Sequence, residues 1–181
     1  VFYEESVKIP MILAGPDVAE GAICETPINL TDCYATILDG LGVTPSDDAP
    51  QGSSLSLFEI AATPEDADRV ILSQYHAFGS PSAGYLIRKG RFKYHHYVGF
   101  QPELFDIEAD PDELNDLAAE PAYASVLVEY ERMLRARLDP EAIDQQAKAD
   151  QEALVQRYGG REKAKVVGAP GATPVPGYKP E

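Results

Sequence analysis

Tryptophan is absent from this chain, and cysteine is nearly so: only Cys24 and Cys33 occur in 181 residues. Two cysteines so spaced make neither a disulfide scaffold nor a zinc site; the missing tryptophan, beside ten tyrosines, excludes nothing. Positive charge is scarce, with 15 Lys and Arg against 30 Asp and Glu and a formal net charge of −15. A polyanion would be repelled over most of such a surface, which argues against nucleic acid or an anionic membrane as partner; the charge serves solubility. No apolar run is long enough to span a bilayer, and no secretory signal opens the chain. The chain starts at Val1 in what reads as mid-element, so the expectation is a front that has been cut away; the missing signal is then silent on compartment, and the few cysteines lean toward the cytoplasm. P-loop, dinucleotide fingerprint, nucleophile elbow and HExxH are all missing as well.

What is present is ordinary globular material, 44% apolar, without an internal repeat. Val7 to Leu13 (VKIPMIL) reads as a buried strand closed by a Gly15-Pro16-Asp17 turn, its sheet partners lying elsewhere, upstream. Pro27 to Leu41 reads as a helix with Leu30, Cys33, Tyr34, Ile37, Leu38 and Leu41 on one stripe. Asn29 or Thr31 would cap it, and Gly42 would supply its left-handed stop. Without upstream partners, this strand and helix should leave apolar surface exposed. Leu55 to Ala62 holds a short helical turn, and Arg69 to Tyr75 has strand bias. Tyr85 to Arg88 and Arg91 to Tyr97 pair as a hairpin around Lys89-Gly90, and Glu103 to Ile107 adds a third strand. Asp110-Pro111-Asp112-Glu113 reads as a helix start, with Asp110 as cap and Glu113 reaching back. Ala122 to Leu138 and Pro140 to about Tyr158 are helices, the second ended by Gly159-Gly160. Val166 to Glu181 is a Pro/Gly-rich tail.

Few residues here carry chemistry. His76 follows a strand in a Gly/Pro loop with Gly79, Ser80 and Pro81, and loops at strand ends are where open α/β sheets meet ligands. Histidine there can act as acid, base or ligand, or be a loop residue bonded to backbone. His95-His96 resembles a metal pair only on paper, because neighbours in a strand point to opposite faces. Arg88, Lys89, Arg91 and Lys93 could hold an anion, or form a solvated hairpin face that pairs with the acidic stretch between Glu103 and Glu120. That stretch lacks the glycine and the ligand spacing of a calcium loop.

Five stretches, in order, carry a resemblance. They are Tyr3-Glu4-Glu5-Ser6 through Pro10; Thr26-Pro27-Ile28-Asn29-Leu30-Thr31-Asp32 with Thr36-Ile37-Leu38-Asp39; Gly52-Ser53-Ser54-Leu55; Gly90-Arg91-Phe92-Lys93-Tyr94; and Leu104-Phe105-Asp106 through Asp110-Pro111-Asp112-Glu113 to Asn115-Asp116-Leu117-Ala118. Together they resemble YEESxRxP, TPVSLVD…TLLD, GxSL, GxxKY and LYDLxxDPxExxNLA of the C-terminal part of formylglycine-dependent sulfatases in the alkaline phosphatase superfamily. Ser73-Gln74-Tyr75-His76 resembles the SEYH segment of choline-sulfatase-like and phosphonate monoester hydrolase-like members, with Gln74 where Glu is common.

The resemblance implies an alkaline phosphatase-like α/β parent fold, of which this chain is an α+β part: a sheet-edge strand and helix, then a small antiparallel sheet with C-terminal helices. Residues 1–80 would end the main domain, 81–158 would form the C-terminal subdomain, and 159–181 the tail. The parent would cleave a small-molecule sulfate monoester, or alternatively a phosphonate or phosphate ester, using formylglycine and a divalent cation (calcium or manganese). Neither Cys24 nor Cys33 stands in the C/S-x-P/A-x-R motif that yields formylglycine, and the family's metal and sulfate ligands would precede Val1. No catalytic or metal residue is therefore expected in this chain. His76, Gln74 and Ser80 are the substrate-binding candidates. The helix from Pro140 and the tail offer a homo-oligomer contact. Two other readings stand beside this one: a non-catalytic α+β interaction module and a self-contained histidine metal hydrolase.

Overall fold

A computed structural model describes residues 1–44, 54–76 and 80–163. The chain divides into two units, Val1–Pro140 and Glu141–Glu181. Gly52 and Ser53 of the GxSL segment, Ala77 to Gly79 of the His76 loop, and the Val166 to Glu181 tail lie outside the described residues.

The first unit is organised by a four-stranded antiparallel meander: β1 (Ile71–Tyr75), β2 (Gly84–Lys89), β3 (Phe92–Tyr97) and β4 (Glu103–Asp106), in that order across the sheet. Short connections force neighbouring strands to pair antiparallel. The hairpin register is Lys89 opposite Phe92, so the tight turn is Gly90-Arg91, one residue later than expected. Gly90 has φ +53°, a left-handed conformation that glycine adopts without penalty.

Alternation gives the sheet two apolar faces. On one, Tyr85, Ile87, Tyr94 and Leu104 pack against Tyr130 and Leu134 of the helix α4 (Ala124–Arg135), entered through a 3₁₀ turn at Pro121–Tyr123. The three- and four-residue spacing of Tyr123, Val126, Leu127, Tyr130 and Leu134 puts them all on this core, as expected. On the other face, Phe2 packs on His95 and Tyr97, and Tyr3 on His95 and Phe105. Phe2 and Tyr3 lead into a one-turn helix, α1 (Glu4–Val7). Gly84 makes room for that segment: a Cβ there would lie 2.8 Å from the Phe2 ring.

Two expected elements do not form. The Val7–Leu13 run, read as a strand, has no regular structure beyond the end of α1. A strand needs a neighbour to pair its backbone, and the open sheet of this unit runs from β1 to β4 without it. The helix expected from Asp110 is absent too. Glu113 takes φ +52°, incompatible with a continuing helix, and its carboxylate turns toward Lys93 at 2.8 Å. Asp110 still caps, but a turn: its Oδ2 accepts the Asn115 amide at 2.7 Å.

The segment before the sheet is clipped on by buried polar contacts. Helix α2 (Asp32–Gly40) starts five residues later than expected. Neither Asn29 nor Thr31 caps it by side chain; instead Asp32 reaches back to the Asn29 amide at 2.7 Å. Asp32 is fully buried, accepts the Leu55 amide at 3.0 Å, and forms a two-point ion pair with Arg69, both contacts 2.8 Å. Burial raises the Asp32 carboxyl, but the Arg69 hydrogen bonds and the Asn29 and Leu55 amides win, leaving it below the usual carboxylate range. The Asn29 side chain donates through Nδ2 to the Leu72 carbonyl at 2.7 Å. Ser56 caps α3 (Leu57–Ala62) by accepting the Phe58 amide at 3.2 Å. Gly42, at φ +62°, ends α2 as expected. The α2 stripe is turned outward, with Leu41 71% and Leu30 62% exposed.

The second unit holds, from Glu141 on, the helix α5 (Pro140–Arg157), the Gly159-Gly160 turn that follows, and helical residues 161–163. Gly159 at φ +87° and Gly160 at φ +93° stop the helix where the sequence indicates.

Candidate functional site

The register places the loop candidates at one end of the sheet. Gln74 of β1 lies opposite Tyr85 of β2, which lies opposite His96 of β3, so all three share a face. His76, just past β1, follows the same alternation. Its Nε2 is 3.3 Å from Gln74 Oε1, and its ring meets Tyr85 edge-on with centroids 5.4 Å apart. Gln74 and His76 are thus brought together. Ser80 is not: its hydroxyl donates to the Ser82 carbonyl at 2.5 Å, within its own loop.

Behind this pair stand residues that sequence reasoning passed over. Tyr85 contacts the His96 ring at 6.2 Å. His96 Nδ1 lies 3.2 Å from a Glu131 carboxylate oxygen, and the Tyr94 hydroxyl donates to the same oxygen. Arg135, one turn along α4, holds the other oxygen at 2.5 Å. Burial pushes the Glu131 carboxyl up; the bonds from Tyr94 and Arg135 and the neighbouring His96 more than offset it and hold it low. The result is a carboxylate–imidazole pair beneath the aromatic platform on which His76 rests. The signal was available in sequence: extending the hairpin alternation places His96 beside Gln74 and His76. Glu131 on a helix was not findable without knowing which face of the sheet α4 covers.

His95 and His96 do point to opposite faces, as strand geometry requires. His95 is fully buried, its Nδ1 3.0 Å from Glu103. Tyr3 and Tyr97 also donate to Glu103, at 3.3 Å each. Burial drives the His95 pKa down, with Lys93 adding to it against the pull of Glu103. The basic cluster pairs with the acidic stretch, as one of its readings held: Arg91 binds Asp106, and Lys93 binds Glu113 at 2.8 Å as well as Glu4 at 2.9 Å. Lys93, however, is not part of a solvated face. Lys93 is 0% exposed, closed in by two carboxylates. Lys93 and Arg91 are therefore already committed to carboxylates.

The arrangement can hold and orient a polar substrate group at Gln74 and His76. Among the described residues, no cluster of three or more His, Cys, Asp or Glu side chains could hold a metal ion. Cys24 is followed by Glu25-Thr26-Pro27 and Cys33 by Tyr34-Ala35-Thr36, so neither fits the formylglycine motif. No helix among the described residues is long and apolar enough to cross a membrane.

Comparison with known proteins identifies the scaffold. The family described as N-sulphoglucosamine sulphohydrolase, C-terminal, matches residues 1–139. Arylsulfatase K of Mus musculus is 33% identical over 126 residues, 65% of this chain and 23% of that protein. The choline-sulfatase of Rhizobium meliloti is 34% identical over 147 residues, 79% of this chain and 28% of its own length. The solved structure of yidJ from Bacteroides fragilis, itself assigned as a sulfatase, superposes with a TM-score of 0.64 at 27% identity, over 76% of this chain and 30% of that one. The chain spans about a quarter of the length of the curated relatives it matches. With the five sequence segments, the meander backed by α4 and the match over residues 1–139 in agreement, the chain belongs to the N-sulphoglucosamine sulphohydrolase C-terminal family, a C-terminal sulfatase domain.

Proposed function

We propose that this chain is the C-terminal portion of a sulfatase-type hydrolase that cleaves a small-molecule sulfate monoester, and that Gln74 and His76 contact the substrate. The observation that carries the reading is the family match across residues 1–139 in a chain about a quarter the length of its sulfatase relatives. Sulfate ester cleavage requires a nucleophile and a preorganised positive site for developing charge. In the family these are formylglycine and a divalent cation. The residues of this chain do not fit either group, so no step is assigned to them here; both belong to the remainder of the parent. The names of the curated relatives favour sulfate over phosphonate.

The role of this chain is to position. Gln74 fixes the His76 ring through Nε2, and Tyr85 supports it from below. His76 then presents its imidazole to the substrate. Ser80 serves the same loop by tying it to Ser82. The domain boundaries that accompany this reading are 1–80 for the end of the main domain, 81–158 for the subdomain and 159–181 for the tail. In the full-length polypeptide, His76→Ala should lower kcat/KM for a sulfate ester by about 10- to 100-fold, the worth of one hydrogen bond to a charged group. Unchanged kinetics would remove His76 from the substrate site.

A further inference from the structure

The buried Tyr85 ring has a fixed axis. Its backbone belongs to β2, and its hydroxyl donates to the Pro140 carbonyl at 3.2 Å. What remains is rotation of the ring plane about that axis, and two imidazoles decide it. His76, just past β1, meets the ring at an interplanar angle of 76°; His96, on β3, meets it at 53° from the other neighbouring strand. His96 is itself held. Its Nδ1 lies 3.2 Å from a Glu131 carboxylate oxygen and 3.3 Å from the Tyr94 hydroxyl, whose own hydrogen goes to that carboxylate. Both neighbours accept, so Nδ1 carries a hydrogen. Arg135 holds the other Glu131 oxygen, so neither oxygen is left to swing. The second His96 ring nitrogen, Nε2, is buried with no hydrogen-bond partner among the described residues. A phenylalanine would pack here without that desolvation cost. What the imidazole offers over a phenyl ring is its bond to Glu131.

We infer that His96 and Glu131 are positioning residues for the His76 substrate contact. The Glu131 carboxylate fixes the His96 ring, His96 fixes the plane of Tyr85, and Tyr85 fixes the tilt at which the His76 imidazole rests. This rests on the proposed function, which sets His76 against the substrate. Gln74 holds His76 through Nε2 at 3.3 Å, and the Tyr85 face sets the angle of the ring about that bond. Neither His96 nor Glu131 touches the substrate, and no proton moves along this series of contacts. Its effect is orientation, and catalysis falls steeply when a contacting group is displaced.

A double-mutant cycle on the full-length polypeptide tests this, with kcat/KM for an aryl sulfate as the readout and the melting temperature of each variant measured alongside. His96→Phe keeps a ring but loses the Glu131 bond; Glu131→Gln keeps the shape but loses the carboxylate. Each should lower kcat/KM by about 3- to 10-fold in the wild-type background. In the His76→Ala background each should change it by less than about 2-fold, because the residue they position is gone. No loss in the wild-type background, with only the melting temperature moved, overturns the inference and leaves the pair a purely structural one. Equal losses in both backgrounds overturn it too, since the effect then bypasses His76. If His96→Phe does not fold, the Glu131→Gln cycle decides alone. The two readings fail separately. Equal losses beside an impaired His76→Ala leave the proposed function standing. Wild-type kinetics in His76→Ala, or no sulfate release by the full-length polypeptide, removes the proposed function and this inference with it.

Discussion

Lys93 shows how a charge that sequence reads as solvated becomes structural. It stands between Glu4 and Glu113 with no exposure to solvent. Desolvating an ammonium group is tolerable only when carboxylates replace its water. Lys93→Met should therefore leave two carboxylates facing a neutral side chain and lower stability by about 3–5 kcal/mol in denaturant unfolding. A loss under 1 kcal/mol would mean the pair is hydrated. His95, on the same face, makes stability pH-dependent. Its depressed pKa means that the folded state binds the proton less readily than the unfolded chain, whose value is about 6.5. Below that pH the unfolded state takes up more protons, so stability falls with pH until the folded pKa is passed. Lys93, Glu103, Glu113, Tyr3 and Tyr97 are the groups that set this environment. Replacing His95 by Phe should flatten the decline of melting temperature that begins near pH 6.5. The carboxyls of Asp32, Asp106 and Glu131, all held low, add a second decline at more acid pH, as each must be protonated. Equal slopes in wild type and variant would assign the first decline elsewhere.

At the scale of elements, agreement and failure have a common cause. The β2–β4 strands, the α4 face, the α5 helix and the Gly42 and Gly159 stops were legible because each is decided locally, by alternation, spacing or a left-handed glycine; β1 was legible as a strand, but its pairing with β2 in the same sheet was not, since the sequence alone places it with the preceding domain. The Val7–Leu13 strand was misread because alternation specifies a strand only when a partner is there to receive its hydrogen bonds. The Asp110 helix failed because Glu113 is claimed by Lys93, twenty residues earlier in the chain, a tertiary contact that outweighs a capping pattern. The Gln74–His76 pairing and its neighbour His96 could be read from strand alternation; the Glu131 carboxylate behind them could not, since it depends on which face α4 covers. Gly84 ties these elements together. Gly84→Ala would push a methyl into the Phe2 ring, and the crowding should cost about 1–3 kcal/mol. A neutral result would show that the segment carrying Phe2 shifts freely on the sheet.

On the scale of the whole molecule, the chain presents a well-packed C-terminal sheet beside a segment whose apolar groups face outward. Its buried core lies in the first region. The net charge of −15 keeps the surface soluble, and the only buried cation of the hairpin is spent on the fold. The measurement that bears most directly on the proposed function is sulfate release from an aryl sulfate, by residues 1–181 alone and by the full-length polypeptide under the same conditions. Turnover by the full-length polypeptide and none by residues 1–181 is the expected result. Turnover by residues 1–181 alone would contradict the account.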